Sequence, residues 1–442
     1  WTAEKRVDIN GQVFYPGYLG LNNLKQTDTI NVCIQALSHV TPIRNFFLLT
    51  QLVSSVHSSL MNLDTTTTGA ISSPSAISSH ASLLPTQQLS PAASMQQHMV
   101  AIRFGELVRK IWNMETFKGH VSPHELLQAI STASEKRYGI GLKADPIDFL
   151  TWFLNTLHMS LSITRSTTAV HARDKAQQQQ GEATATTTTV TQAKTSATTT
   201  TKSTSSGKRK ASDGAVVEKK RRRISKADPP SSIITETFQG VVHVTQELVP
   251  MTTSSSDAPD PNEGAQRKKT SRDTPFMYLT LDIPPAPLFK DEQERNMIPQ
   301  IPIYQLLTKY NGKTETLNAL SNNLLERKTY SLARLPKYLI IHMKRFSSAN
   351  KTEKNPTIVS FPVQGLDLTH CCQCPADGSS TKYDLIANIC HEGDVSSGAF
   401  KVHVLHRPTG KWLEMQDLDV KEIIPQTISV SEAYIQIYEQ RV

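Results

Sequence analysis

Apolar and polar positions follow a helical period in the first third of the chain. Apolar residues recur at Ile30, Cys33, Ile34 and Leu37, and spacings of three and four residues put them on one face of a helix. A glycine-led loop with two adjacent asparagines, Gly20-Leu21-Asn22-Asn23, runs into that helix. Thr27 or Asp28 suits its N-cap, where a side-chain oxygen satisfies free backbone N–H groups. Pro16-Gly17 marks a turn after a short strand. A second helical piece begins at Thr41-Pro42, and Ile102, Leu107, Val108, Ile111 and Trp112 carry a third over 99–112. Ser122-Pro123-His124-Glu125 reads as a capping box with proline at the first helical position. Asp145-Pro146 opens one more helix, whose apolar face holds Phe149, Phe153, Leu154, Leu157 and Leu161.

From Ile233 the pattern becomes that of strands. Runs over 237–244 and 276–284 are β-branched or aromatic with turn residues at their ends. A helix is expected over 303–310, then a strand of the fully buried type within 336–346. Further strands are predicted at 357–361, 383–391, 399–406, 411–416 and 432–438. Helices first and strands later predict an α+β domain with segregated parts. No internal repeat with a period of 20 to 50 residues is visible.

Composition divides the chain further. Segments 54–98, 165–231 and 252–273 are rich in Ser, Thr, Ala, Gln, Pro and Lys and poor in large apolar residues. Such stretches cannot bury enough surface to offset the entropy of ordering. The first two are expected to be disordered insertions and the third a flexible loop, all within a single domain over 1–442. The formal charge is +8, and it is concentrated. Residues 200–226 hold ten Lys or Arg and two Asp or Glu, so the remainder is neutral, which argues against a nucleic-acid groove on the folded part. Lys208, Arg209 and Lys210, then Lys219, Lys220, Arg221, Arg222 and Arg223 after a spacer of eight residues, look like a bipartite nuclear-localisation signal. The nucleus is therefore the expected location. No apolar run approaches the ~20 residues that span a bilayer, and no secretory h-region opens the chain, so no membrane partner is expected. Five cysteines without disulfide-like spacing suit a reducing compartment. The chain opens at Trp1 rather than Met, and an upstream part is expected.

The stretch over 20–37 resembles the cysteine box of the ubiquitin-specific proteases, Gly-Leu-x-Asn-x-Gly-Asn-Thr-Cys-Tyr-Met-Asn-x-x-Leu-Gln-x-Leu. Other motifs follow in the family's order. They are Phe238-Gln239-Gly240, Phe276-x-x-Leu279-x-Leu281-Asp282-Ile283-Pro284, Leu335-Pro336-x-x-Leu339-Ile340-Ile341-x-x-Lys344-Arg345-Phe346, Tyr383-Asp384-Leu385-Ile386-Ala387-x-x-x-His391-x-Gly393, Ser397-Gly398, Trp412, and Ala433-Tyr434-Ile435. The resemblance implies that family's papain-like right-hand fold, with a helical thumb, a mixed palm and β fingers that grip ubiquitin.

Carried over residue by residue, the resemblance puts Asp28 where the family has its nucleophilic cysteine. Asn23, five residues earlier, matches the oxyanion asparagine. Gly398-Ala399-Phe400 stands where the family has Gly-His-Tyr, so Ala399 takes the place of the base. In Trp412-Leu413-Glu414-Met415-Gln416-Asp417, Gln416 takes that of the residue orienting the base. No catalytic residue is therefore expected. Cys33 lies roughly 7.5 Å along the helix and about 140° around it from Asp28, which points its thiol into the core. His403 follows Ala399 by four residues, roughly 13 Å along a strand. His391 matches a histidine that accompanies the box without being the base, and Asp417, intact, is expected to orient nothing while Ala399 is not a histidine. Cys371-Cys372-Gln373-Cys374 is one cluster without a second, short of the four spaced ligands of a zinc site. No metal or other cofactor is expected.

One inactive, spliceosomal branch of the family fits these departures. It is matched by Asn22-Asn23-Leu24-Lys25, Val121-Ser122-Pro123-His124-Glu125, Lys354-Asn355-Pro356-Thr357-Ile358-Val359 and Ser431-Glu432-Ala433-Tyr434-Ile435. That branch usually carries an upstream zinc-finger domain. The resemblance implies a non-catalytic scaffold of pre-mRNA splicing, stabilising the tri-snRNP and helping to place its snRNA-unwinding helicase. Tri-snRNP proteins, including that helicase, are the expected partners, with ubiquitin bound weakly if at all and RNA met indirectly. A ubiquitin-binding reader and an active deubiquitinase with an unusual nucleophile are the alternatives.

Overall fold

The computed structural model describes residues 6–7, 13–50, 91–115, 119–162, 231–250, 269–285, 298–320, 324–346, 353–372 and 380–441. Strands β1 (Arg6–Val7) and β2 (Val13–Phe14) pair antiparallel. Gly17, at φ 94°, then turns the chain into β3 (Gly20–Leu21), which pairs in parallel with β4 (His120–Val121). Between them run α1 (Asp28–His39), α2 (Thr41–Leu49) and α3 (Pro91–Ile111), and α4 (His124–Ala133) and α5 (146–162) follow. Every residue of α1 from Thr29 to His39 is buried. It is the central helix of the thumb rather than an amphipathic surface helix, which is why apolar residues fall on most of its turns. Aromatic rings join the helices edge to face: Phe47 meets Phe104 at 4.9 Å and Phe104 meets Phe153 at 5.1 Å between centroids.

Helix α6 (Ile233–Phe238) leads into β5 (Gly240–Pro250), β6 (Lys269–Phe276) and β7 (Tyr278–Asp282). Then come β8 (Gln300–Pro302), α7 (Ile303–Leu307) with a 3₁₀ turn over Thr308–Tyr310, β9 (Asn311–Leu320) and β10 (Leu324–Arg334). The four long strands form the fingers in the order β6-β5-β10-β9. Glycine is required where β5 begins, because a Cβ at Gly240 would lie 2.4 Å from the Phe276 ring and 2.9 Å from the Arg334 carbonyl.

The palm uses β11 (Tyr338–Lys344), β12 (Ile358–Ser360), β13 (Leu366–Asp367), β14 (Lys382–Glu392), β15 (Ala399–His406), β16 (Lys411–Gln416) and β17 (Asp419–Ile423). Helix α8 (Pro425–Ile428) and β18 (Ala433–Gln440) close the chain. Its sheet runs β17-β16-β15-β14-β18-β11-β7, with β13 on β14. The β11–β7 pair is parallel. Alternate residues of β11 enter different cores: Ile340 packs toward the helices, and Leu339, Ile341 and Met343 pack on the other face. A strand buried on both faces reads as a continuous apolar run.

Several boundaries differ from the sequence reading. Residues 91–98, read as part of an insertion, belong to α3, where His98 Nδ1 meets Ser160 Oγ at 2.8 Å. Alanine and glutamine with few large apolar residues resemble a linker until a neighbouring helix gives them a partner. Residues 269–273, read as loop, are strand, paired from Glu247↔Lys269 to His243↔Asp273. Both faces of that end of the fingers are wet, so no apolar alternation marks it. The rest of the three proposed insertions, with the basic clusters 208–210 and 219–223, lies outside the described residues apart from Ser231. Thr237-Phe238 ends a helix rather than starting a strand, because Ser232 and Thr235 cap each other reciprocally. That is a capping box. The one expected at 122–125 is absent: Pro123 is the N-cap without a side-chain bond, and Glu125 instead meets Lys110 at 3.1 Å. Strands β9, β10 and β17 were not expected.

Candidate functional site

The loop over 20–27 is built from hydrogen bonds that its own sequence supplies. Asn23 Oδ1 accepts from the Thr27 backbone N–H (3.0 Å) and hydroxyl (3.2 Å), and Thr27 Oγ1 accepts from the Leu24 N–H at 3.0 Å. Lys25 (φ 63°) and Gln26 (φ 55°) take the left-handed conformation that closes this turn. Thr27 is therefore the N-cap by backbone position, but its hydroxyl turns back into the loop rather than onto the helix. Asp28 is the first helical residue, not the cap. A carboxylate in this first turn still complements the helix dipole, and it does more: Asp28 Oδ2 accepts the backbone N–H of Phe400 on β15 at 3.2 Å. The helix is thereby stitched to the palm through Asp28.

Asp417 organises the other side. It sits at φ 51° after β16, and both carboxylate oxygens are engaged, Oδ2 by Asn23 Nδ2 at 2.9 Å and Oδ1 by Asn31 Nδ2 at 3.0 Å. Its carbonyl accepts the Leu21 N–H at 2.8 Å. Gly20 lies so close that a Cβ there would fall 2.7 Å from Leu418 Cα. With no histidine at position 399 to orient, Asp417 instead orients Asn23 and Asn31. Gln416 beside it is exposed, at the end of β16 opposite Asp419. Ala399 opens β15 opposite Glu392.

The turn between β14 and β15 is held from two sides. Lys143, from the segment before α5, donates to the Ser396 carbonyl at 2.8 Å. Lys354 donates to the carbonyls of His391 (3.1 Å) and Gly393 (2.7 Å) and to Glu432 Oε2 (2.5 Å). Lys143, Lys354, Gly393, Ser396 and Glu432 line a cavity of about 900 Å³ with Pro356, Asp394 and Val395. Arg345, fully buried, donates to the carbonyls of Asn355, Thr357 and Ala433 and so fixes the strand ends that carry Lys354 and Glu432. The Lys-Arg-Phe and Lys354–Val359 motifs were visible in the sequence, yet neither disclosed this role.

Among the described residues no histidine joins Asp28 in hydrogen-bond contact. His391 is buried between Phe346 and Phe400, with ring centroids 5.3 and 4.7 Å away. Burial, with the Lys354 and Lys143 charges nearby, pushes its pKa down to about 4, so the ring is neutral at pH 7. Its Nδ1 has no partner among the described residues. His403 is buried and meets Glu414 Oε2 at 3.2 Å and the Asn388 amide at 3.2 Å. Cys33 is fully buried, its thiol facing the Pro146 carbonyl at 3.6 Å, and burial holds that thiol protonated. This is the core position expected for it. Cys371 donates to the Leu307 carbonyl, and burial raises its thiol to about 11. Among the described residues no three His, Cys, Asp or Glu side chains form a group that could hold a metal ion.

Comparison with known proteins agrees with this fold. The family model described as ubiquitin carboxyl-terminal hydrolase matches residues 19–438. Human "Ubiquitin carboxyl-terminal hydrolase 39" is 35% identical over 437 residues, 98% of this chain and 60% of the relative. The chain thus spans about 60% of that protein's length. "Probable mRNA-splicing protein ubp10" of Schizosaccharomyces pombe is 30% identical over 449 residues, 99% of this chain and 68% of the relative. Among solved structures, one described as "an essential yeast splicing factor" superposes with a TM-score of 0.56 at 19% identity, covering 100% of this chain and 73% of its own.

Proposed function

The chain belongs to the ubiquitin carboxyl-terminal hydrolase family, and from that premise we propose that it is a non-catalytic scaffold of pre-mRNA splicing. The observation that carries the first half is the Asp28 carboxylate bonded to the Phe400 N–H beside Ala399. Acyl transfer needs a nucleophile and a base within hydrogen-bond reach. At the family's three positions stand a carboxylate, a methyl group and, in Gln416, an exposed amide, while Asn23 keeps its place by serving Asp417 and Thr27. The second half is supported by the splicing name of the fission-yeast relative, 68% of whose length this chain covers.

In finer terms, the domain stabilises the tri-snRNP and helps to place its snRNA-unwinding helicase, meeting RNA mainly through proteins. It enters the nucleus by the basic clusters over 208–223. Pull-down of the full chain from nuclear extract should recover the tri-snRNP snRNAs, and a ubiquitin reporter should not be hydrolysed. Recovery of no snRNA would overturn the splicing reading. Reporter hydrolysis lost in Cys33→Ala would establish an active deubiquitinase, and saturable ubiquitin binding without hydrolysis would favour the reader.

A further inference from the structure

The fingers carry a cluster of nucleophile, imidazole and carboxylate that the thumb–palm site does not use. Strands β5 and β6 pair antiparallel with His243 opposite Asp273 and Thr245 opposite Ser271. Side chains two residues apart on a strand share a face, so Ser271 and Asp273 both reach the His243 ring. Ser271 Oγ lies 2.6 Å from His243 Nε2, and Asp273 Oδ1 lies 2.7 Å from His243 Nδ1. An ionised carboxylate can only accept a hydrogen bond. It therefore keeps the proton on Nδ1, and in the neutral ring Nε2 is left to accept from the serine hydroxyl.

We propose that Ser271 is an activated nucleophile, with His243 as its base and Asp273 holding the tautomer. It would react with activated acyl esters and thioesters. Ser271 and Asp273 are exposed on the outer strand of the fingers sheet, and the His243 side chain is 33% exposed. Small reagents therefore reach them. Along the outer edge of β6, alternate backbone N–H groups have no strand partner among the described residues and can receive the charge of a developing oxyanion. Ser271 Oγ attacks the acyl carbon while its proton passes to His243 Nε2. The bond to the leaving alkoxide or thiolate breaks and that group takes the proton from His243, leaving an ester on Ser271. Water then hydrolyses the ester by the same route, with His243 again as base.

The test is labelling of the full chain with a fluorophosphonate probe, in which the serine oxygen displaces fluoride from phosphorus. Peptide mapping by mass spectrometry should place the label on Ser271. His243→Ala should slow labelling on the order of 10²-fold, the range of general-base assistance. Asp273→Asn should slow it comparably while keeping shape, because an amide donating to Nδ1 forces the ring proton onto Nε2 and removes the acceptor. Far-UV circular dichroism of both variants should match the parent. Absence of label on Ser271, or labelling at the parent rate in folded His243→Ala and Asp273→Asn, would overturn the proposal.

Discussion

Asp417→Asn isolates the bond network that joins the 20–31 segment to the turn after β16. The carboxylate accepts one amide N–H on each oxygen, from Asn23 at 2.9 Å and from Asn31 at 3.0 Å. A hydrogen bond onto a charged acceptor contributes about 1.5–3 kcal/mol and a neutral one about 0.5–1.5 kcal/mol. Asparagine keeps a single acceptor oxygen, so one bond is lost and the other becomes neutral, and the displaced NH₂ faces another NH₂. Asn31 is buried while Asn23 is exposed, which places the Asn23 share at the low end and the total near ~2 kcal/mol. Asparagine also tolerates the left-handed conformation at φ 51°, so backbone strain does not enter. Asp417→Ala should cost about 1 kcal/mol more, because alanine resists that conformation. Urea unfolding with an unchanged denaturant slope gives the values. Asn31→Ala combined with Asp417→Asn should destabilise by less than the sum of the two. A loss under ~0.5 kcal/mol in Asp417→Asn, or strict additivity in the pair, would refute the assignment of Asp417 as the organiser.

Gly20→Ala should lower stability by at least about 2 kcal/mol, read as a drop in Tm, since its Cβ would meet the Leu418 backbone at 2.7 Å; an unchanged Tm would show that the 417–418 turn yields freely. Cys33→Ala should leave reporter hydrolysis at background and cost about 1–2 kcal/mol of core packing in urea unfolding. Acid should destabilise the fold early. Burial lowers His39 to about 3 and His342 to about 4, below their ordinary 6.5. Between those values the unfolded chain binds protons that the folded one refuses, so this stability is present above pH 6.5 and is lost as pH falls toward 4. At pH 5 the two together should remove on the order of 4 kcal/mol relative to pH 7, and equal unfolding midpoints at the two pH values would contradict it.

Motif order and apolar period in the sequence were enough for the α+β class, for the strands over 399–406 and 411–416, and for the core place of Cys33. Periodicity reports burial wherever one face is dry, so the thumb helices and the two-faced strand β11 were legible. The fingers were legible only in β5: most of β9 and the Lys269–Asp273 end of β6 are wet on both faces, β10 is half-buried without apolar alternation, and only backbone pairing makes them strands. A capping signature was likewise ambiguous, present in letters at 122–125 but realised at 232–235, because a cap depends on a backbone angle that the four letters do not determine.

The candidate site divides in the same way. Which residue types stand at positions 28, 399 and 416 is a property of the sequence, and so is the absence there of a thiol and an imidazole. What those positions do instead belongs to the tertiary structure. Asp28 reaches Phe400 across 372 residues of chain, Asn23 reaches Asp417 across 394, and Lys354 gathers His391, Gly393 and Glu432. Hydrogen bonds between residues so far apart leave no period in the sequence. They exist only once the palm sheet and the thumb helix have fixed both ends.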